Sequence, residues 1–194
     1  LNPPRRVEIS KAKGYGVNGF NDADISVIKA APRKEPSIEG VLVDEFTSDK
    51  NLIEDKFFSF AYRYRYEDNQ YSAMSPFSEF AFKPGDTDID FLDTTTESMK
   101  NSFVSVNVTV DTGDSSVIGV DILAKESNGA NVFVVHKIDK KKENVQDSVQ
   151  YPFIFKNNGL YSVLSEDEFN RVYDNVPLKA LAQEFIGNRV VYGN

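Results

Sequence analysis

The 194-residue chain has no cysteine, a formal charge of −8 and 40% hydrophobic residues. Disulfide stapling is therefore excluded, and stability has to come from apolar burial, which at this length hides roughly 70% of the unfolded chain's surface. The acidic balance argues against general affinity for nucleic acid, which needs lysine and arginine to displace phosphate counterions, and no apolar run approaches the ~20 residues of a membrane span.

Residues 1–36 read as an extended connector. Pro3-Pro4 resists both helix and sheet, Gly14, Gly16 and Gly19 loosen the middle, and Ala31-Pro32 and Glu35-Pro36 stiffen the end. Its apolar patches, Val7 with Ile9 and Ile25 with Val27 and Ile28, are too small for a core and are expected to dock on something larger. Asn21 to Asp24 are placed to cap one helical turn at Ile25.

Residues 37–157 have the texture of an all-β domain. In the stretch after Phe57, Phe58, Phe60, Tyr62, Tyr64 and Tyr66 alternate with Ser59, Ala61, Arg63 and Arg65. A period of two points these aromatics to one face of a long, half-buried strand. Asp68-Asn69 permits a reversal, and a second strand from Tyr71 is interrupted at Ser75-Pro76, where an edge, bulge or strand switch is expected because proline lacks the ladder N–H. Further strands are expected at Ile38–Val43, Lys56–Glu67, Tyr71–Met74 continuing to Phe82, Ser102–Val110, Val117–Lys125, Asn131–Lys140 and Val149–Phe155. Such a series predicts an immunoglobulin or fibronectin type III-like antiparallel β-sandwich. Asp111-Thr112-Gly113-Asp114 and Asn128-Gly129 are the best hairpin turns, and Lys83 to Lys100 reads as a polar surface crossover.

Residues 158–194 read as a helical linker. Ser165 followed by Glu168 is a capping-box pattern that predicts a helix over Glu166–Tyr173. Leu178, Leu181, Ala182 and Phe185 would share one face of a second helix, stopped by Gly187-Asn188. The start at Leu1 without methionine and the close at Val190–Asn194, which reads as a strand barely begun, suggest a piece of a longer polypeptide.

The residues that could carry chemistry each have a competing structural account. Asp111-Thr112-Gly113 repeats the aspartic-protease tripeptide, but a proton-sharing dyad needs two such loops, and a hairpin turn explains one. Asp86, Asp88 and Asp90 alternate like oxygen ligands for calcium, yet lack the glycine and distal glutamate of an EF-hand loop, so a solvated acidic loop is the simpler account. His136, the single histidine, has no partner for a triad or zinc site and is read as a packed or rim residue beside Val132, Val134 and Ile138. Arg63 and Arg65 could stack on bases or sugars; cross-strand pairing with acidic neighbours is favoured. Lys140, Lys141 and Lys142 read as a solvated turn, and Asn107-Val108-Thr109 as a chance glycosylation match. With no phosphate loop or dinucleotide fingerprint, no cofactor is expected, and no catalytic residue is assigned.

Three segments together resemble one family. They are Asn2-Pro3-Pro4-Arg5-Arg6, the run from Tyr62 to Ser78, and the run from Val176 to Asn194. They are similar to the tail-nozzle or packaged-DNA stabilisation proteins of short-tailed bacteriophages, including the muzzle-type proteins of crAss-like phages. The resemblance implies a non-enzymatic virion protein, made in the host cytoplasm, that forms a ring of copies against other tail and portal proteins. It implies no specific nucleic-acid binding, since DNA at most passes through the assembled conduit, and its motifs carry no catalytic content. The alternative from composition alone is a carbohydrate-binding or adhesion β-sandwich of a bacterial cell surface, using some of the nine tyrosines.

Overall fold

The computed structural model of the chain describes residues 5–16, 19–20, 25, 30–42, 51–85, 100–170, 181–187 and 189–193. The architecture follows from the aromatic alternation. Strand β2 (Phe58–Tyr66) pairs in register with β4 (Val117–Glu126), so that Phe60, Tyr62 and Tyr64 stand opposite Ala124, Ile122 and Val120. Strand β5 (Val132–Asp139) adds to β4 through the Asn128-Gly129 hairpin, and the two-residue β7 (Ser162–Val163) adds to β5. This gives a four-stranded antiparallel sheet of order β2-β4-β5-β7. A second, three-stranded antiparallel sheet has order β1-β3-β6, with β1 (Ser37–Leu42) and β6 (Gln150–Phe155) flanking β3 (Phe103–Asp111).

The two sheets enclose one core. Phe58, Phe60, Tyr62, Tyr64 and Tyr66 from β2 and Val120, Ile122 and Ala124 from β4 meet Val106, Val108 and Val110 from β3 and Phe155 from β6. Phe155 lies edge-on to Phe58 and Phe60, at ring separations of 5.0 and 5.1 Å, the arrangement that the ring quadrupoles favour. β2 is not half-buried as its alternation predicts. Its outer face carries Ala61 and Arg63, and Ala61 belongs to a second apolar cluster with Leu123, Val132, Val134 and Leu164, against which Met74, Phe77 and Phe169 pack.

The chain reverses at Asn69, whose φ of 59° is tolerated by a short polar side chain, and runs back along the free edge of β2. There the expected strand is replaced by a stepped pairing. Ser72, Ser75, Ser78 and Ala81 donate their N–H groups to the carbonyls of Tyr64, Tyr62, Phe60 and Phe58 at 2.8–2.9 Å. Three residues of the edge thus match every two of the strand, and the surplus bulges outward. In an ordinary ladder a carbonyl would accept from Tyr64, Tyr62 and Phe60 in return. Here the hydroxyls of Ser72, Ser75 and Ser78 accept those three N–H groups, each at 3.0 Å. Each hydroxyl donates its own proton to the carbonyl of the next residue, Ala73, Pro76 or Glu79. Pro76 is accommodated because its missing N–H falls in a bulge.

Several expected features change. Asp111 to Asp114 do not form a hairpin: β3 and β4 belong to different sheets, so the loop is a corner between layers, with Gly113 at φ +69°. Val135 is an extra residue on β5, since Ile122 pairs with His136 but Leu123 with Val134. This bulge reverses the facing of the strand. Val132 and Val134 join the outer cluster, while His136 turns towards β6 and stacks on Phe153 at 4.6 Å. His136 therefore does not share a face with Val132 and Val134.

The tail departs furthest. A single helical turn, α2 (Glu166–Phe169), follows β7 and is capped by Asn170, so the helix expected to Tyr173 is shorter; residues 171–173 lie outside the described residues. No capping box forms: Ser165 makes no side-chain cap, and the Glu168 carboxylate instead accepts from Arg63 Nη1 at 3.0 Å. Ala182–Ile186 is not helical but strand β8, paired with β9 (Arg189–Gly193) around Gly187 at φ +62°. Gly187, expected to help stop a helix, therefore lies between the strands of a hairpin, because Phe185, Ile186, Val190, Val191 and Tyr192 all favour strand. In the N-terminal region, Ile9–Ala12 forms one turn, α1, and the end of this region docks on the β-sheets: Tyr66 donates its hydroxyl proton to Ala30 O at 2.5 Å, and Pro32 and Pro36 are buried. The capping role expected of Asn21 to Asp24 lies outside the described residues.

Candidate functional site

Among the described residues, a dense cluster of polar contacts lies at the corner after β3. The Asp111 carboxylate accepts from Gly113 N at 2.7 Å and Tyr64 OH at 3.3 Å through one oxygen, and from Gln150 Nε2 at 3.3 Å through the other. Thr112 is fully buried; its hydroxyl donates to Gln146 O at 2.9 Å and accepts from Val149 N at 3.0 Å. Lys140 enters from the end of β5 with only 7% of its side chain exposed. Its ammonium donates to the carbonyls of Thr112, Gly113 and Asp114 at 3.3, 3.5 and 3.0 Å and pairs with Asp147. Lys140 is thus buried, unlike the solvated turn residue its basic run predicts, because the corner turns its carbonyls inward and they need a cation. Burial pushes the Tyr64 hydroxyl far above its ordinary pKa, with Tyr62 and Asp111 adding to the effect, and burial likewise raises Tyr62. The tripeptide Asp111-Thr112-Gly113 is here a joint between two sheets, and each Asp111 oxygen is occupied by a donor of the fold.

Arg63 and Arg65 take the cross-strand role. Arg63 Nε and Nη2 both reach Asp121 Oδ2, at 3.3 and 3.1 Å, directly across the β2–β4 ladder, and its guanidinium lies 3.8 Å over the Tyr71 ring. Arg65 passes over Gly119 to Asp139 at 3.3 Å. A Cβ at Gly119 would stand 2.7 Å from Ile138 O and 3.0 Å from the guanidinium, so glycine leaves the passage open. Asp139 is held below the usual carboxylate range, first by the Lys142 amide and then by the charges of Lys142 and Arg65. His136 Nε2 is buried without a hydrogen-bond partner. Asn107 sits half-exposed in the middle strand of the three-stranded sheet.

Asp86, Asp88 and Asp90, the expected calcium ligands, lie outside the described residues. Among the described residues no three His, Cys, Asp or Glu side chains converge as a metal site requires, and no helix is long and apolar enough to cross a membrane. The segment bearing those aspartates departs at Gly85 and returns at Lys100 side by side, since Gly85 N donates to Lys100 O at 3.2 Å. Beneath this junction Asn101 is buried, its side chain donating to Ala81 O and accepting from Lys83 N and Phe103 N. Leu42, Glu54, Gly85, Lys100 and Ser102 edge a shallow cleft of about 450 Å³ there.

Apolar surface is the other resource. The β8–β9 hairpin places Leu181, Phe185, Val190 and Tyr192 on one face, and Phe185 is 71% exposed. Leu42, Phe80 and Leu160 are exposed on the all-β region. Sequence reasoning missed the hydroxyls of Ser72, Ser75 and Ser78, although their spacing of three was a readable signal. It also missed Lys140 and Asn101, whose burial depends on loops meeting across the fold. Comparison with protein families, characterised proteins and solved structures finds no match for the chain.

Proposed function

We propose that this chain is a non-enzymatic structural module of a bacteriophage virion, part of a tail or portal-extending conduit built as a ring of copies. The resemblance of the segments at Asn2–Arg6, Tyr62–Ser78 and Val176–Asn194 to tail-nozzle proteins carries this reading. The disposition of side chains supports it: Asp111, Lys140, Arg63 and Arg65 are spent on holding strands and corners together, while unpaired apolar surface lies on the hairpin and the sandwich rim. A glycan-binding surface draws less support, since among the described residues every tyrosine is buried or half-buried.

The finer fold belongs to the same proposal. The neighbours β1–β3 and β2–β4–β5 match the B–E and C–F–G neighbours of an immunoglobulin-type sandwich. The serine-stepped edge lies where an additional strand beside C would, and β6 takes the place beside E late in the chain. In this reading residues 1–36 and 158–194 are the contact elements, and residues 37–157 the scaffold. The decisive experiment is mass spectrometry of purified particles from the source. Peptides of this chain in virions, stoichiometric with a portal protein, are the expected result; their absence from particles, with the protein at the bacterial surface, would overturn it.

A further inference from the structure

The C-terminal part of the described sandwich crosses the outer face of the four-stranded sheet as a narrow band. β7 contributes two pairs to β5, Ser162 with Val134 and Val163 with Phe133, and Leu164 N then donates to Val132 O at 2.8 Å. Leu164 is the single peg of this band that is buried, set among Ala61, Leu123, Val132 and Val134. No residue of α2 is fully buried, and Phe169 lies half-covered, 5.5 Å from the Lys125 ammonium.

The polar fastening is asymmetric. Arg63 is 6% exposed and Asp121 4%, whereas Glu168 on α2 is 44% exposed. Arg63 and Asp121 form a complete pair with a charge sum of zero, and Tyr71 covers the guanidinium. Glu168 is therefore a second carboxylate on an arginine already neutralised. Breaking a buried pair is costly because it strands a charge, but lifting α2 strands none: Arg63 keeps Asp121, and Glu168 passes into water.

We infer that Ser162–Phe169 is a strap that opens as a unit of its own, β7 leaving the edge of β5 while β2, β4, β5 and the three-stranded sheet stay folded. Segments with few buried apolar contacts and exposed hydrogen bonds occupy the low end of local stability, and here the chemistry of the fastening makes that opening independent of the core. Opening withdraws Leu164 and Phe169 from Ala61, Leu123, Val132 and Val134, leaving an apolar face on the strands that Met74 and Phe77 cover only in part. The joint between the sandwich and the β8–β9 hairpin is then a latch with one apolar peg and one solvent-exposed ionic clasp.

Hydrogen exchange of the full chain, read by mass spectrometry, tests this. The Leu164 and Phe169 amides should exchange at least a hundredfold faster than those of Ile122 and Leu123 in β4. Glu168→Gln should accelerate the strap about fivefold, as loss of a partly exposed ion pair permits, and leave β4 unchanged. Leu164→Ala should strip strap protection almost completely while β2, β4 and the three-stranded sheet keep theirs. Exchange of strap and β4 at one common rate, or equal acceleration of both by Glu168→Gln, would overturn the inference.

Discussion

Changing Ser75 to alanine removes one oxygen from a buried edge and isolates the contribution of the serine pairing. Ser75 is 4% exposed. Its hydroxyl accepts from Tyr62 N at 3.0 Å and donates to Pro76 O at 2.9 Å, while its own N–H bonds Tyr62 O at 2.8 Å. Alanine preserves that last bond and the backbone path. It leaves the Tyr62 N–H facing a methyl group inside the sheet, and a buried donor without an acceptor costs about 1–3 kcal/mol. Pro76 is exposed, so water satisfies its carbonyl and adds little to the cost. The expected loss is about 2 kcal/mol, or roughly 4–8 °C in Tm for a chain of this size. Urea denaturation of Ser75→Ala should therefore show a lowered midpoint at unchanged slope, the sign of a stability change without a change in exposed surface. Ser102→Ala, which removes an exposed hydroxyl bonded to Pro84 O at 3.1 Å, is the control and should fall within about 0.5 kcal/mol of the parent. If Ser75→Ala matched that control, the hydroxyls would not be acting as ladder acceptors, and the edge would owe its order to packing alone.

Three further outcomes follow from the same geometry. Lys140→Met keeps the aliphatic stem but deprives three corner carbonyls and Asp147 of their donor; thermal unfolding should show a loss of about 2–3 kcal/mol. His136→Phe retains the stack on Phe153 and removes the unpartnered Nε2, so denaturant titration should show a gain of about 1 kcal/mol. At alkaline pH, Tyr62, Tyr64 and Tyr151 hold their protons in the folded state above the pKa they have unfolded, chiefly because burial penalises the phenolate. Their contribution is complete below about pH 10 and is lost as pH rises towards the folded values. Stability against urea should thus fall above that pH, and less steeply in Tyr64→Phe; an unchanged slope in the variant would contradict the assignment.

The amino-acid order by itself located β1 to β6, but neither the stepped edge after Asn69 nor β7 to β9. Five aromatics at a period of two require one face to be buried, so β2 and its place in the core were legible, as were the Asn69 reversal and the Asn128-Gly129 hairpin, because these depend on local backbone preference. The cross-strand role of Arg63 was legible too, since the surrounding chain is rich in carboxylates. Only the tertiary structure decided which sheet each strand joined, and with it that Asp111–Asp114 is a corner and Lys140 its buried cation. Local sequence cannot rank such outcomes, because the loops that envelop Lys140 are brought together by the packing of strands distant along the chain. The same holds for Glu168, drawn from a helix cap to Arg63, and for Val135, whose bulge turns His136 away from its sequence neighbours. From Leu178 to Ile186 the apolar spacing fitted a helix, but Gly187 with its positive φ, followed by β-prone residues, lets β9 fold back on β8. The hydrogen bonds gained between two strands then outweigh a weak periodicity in one.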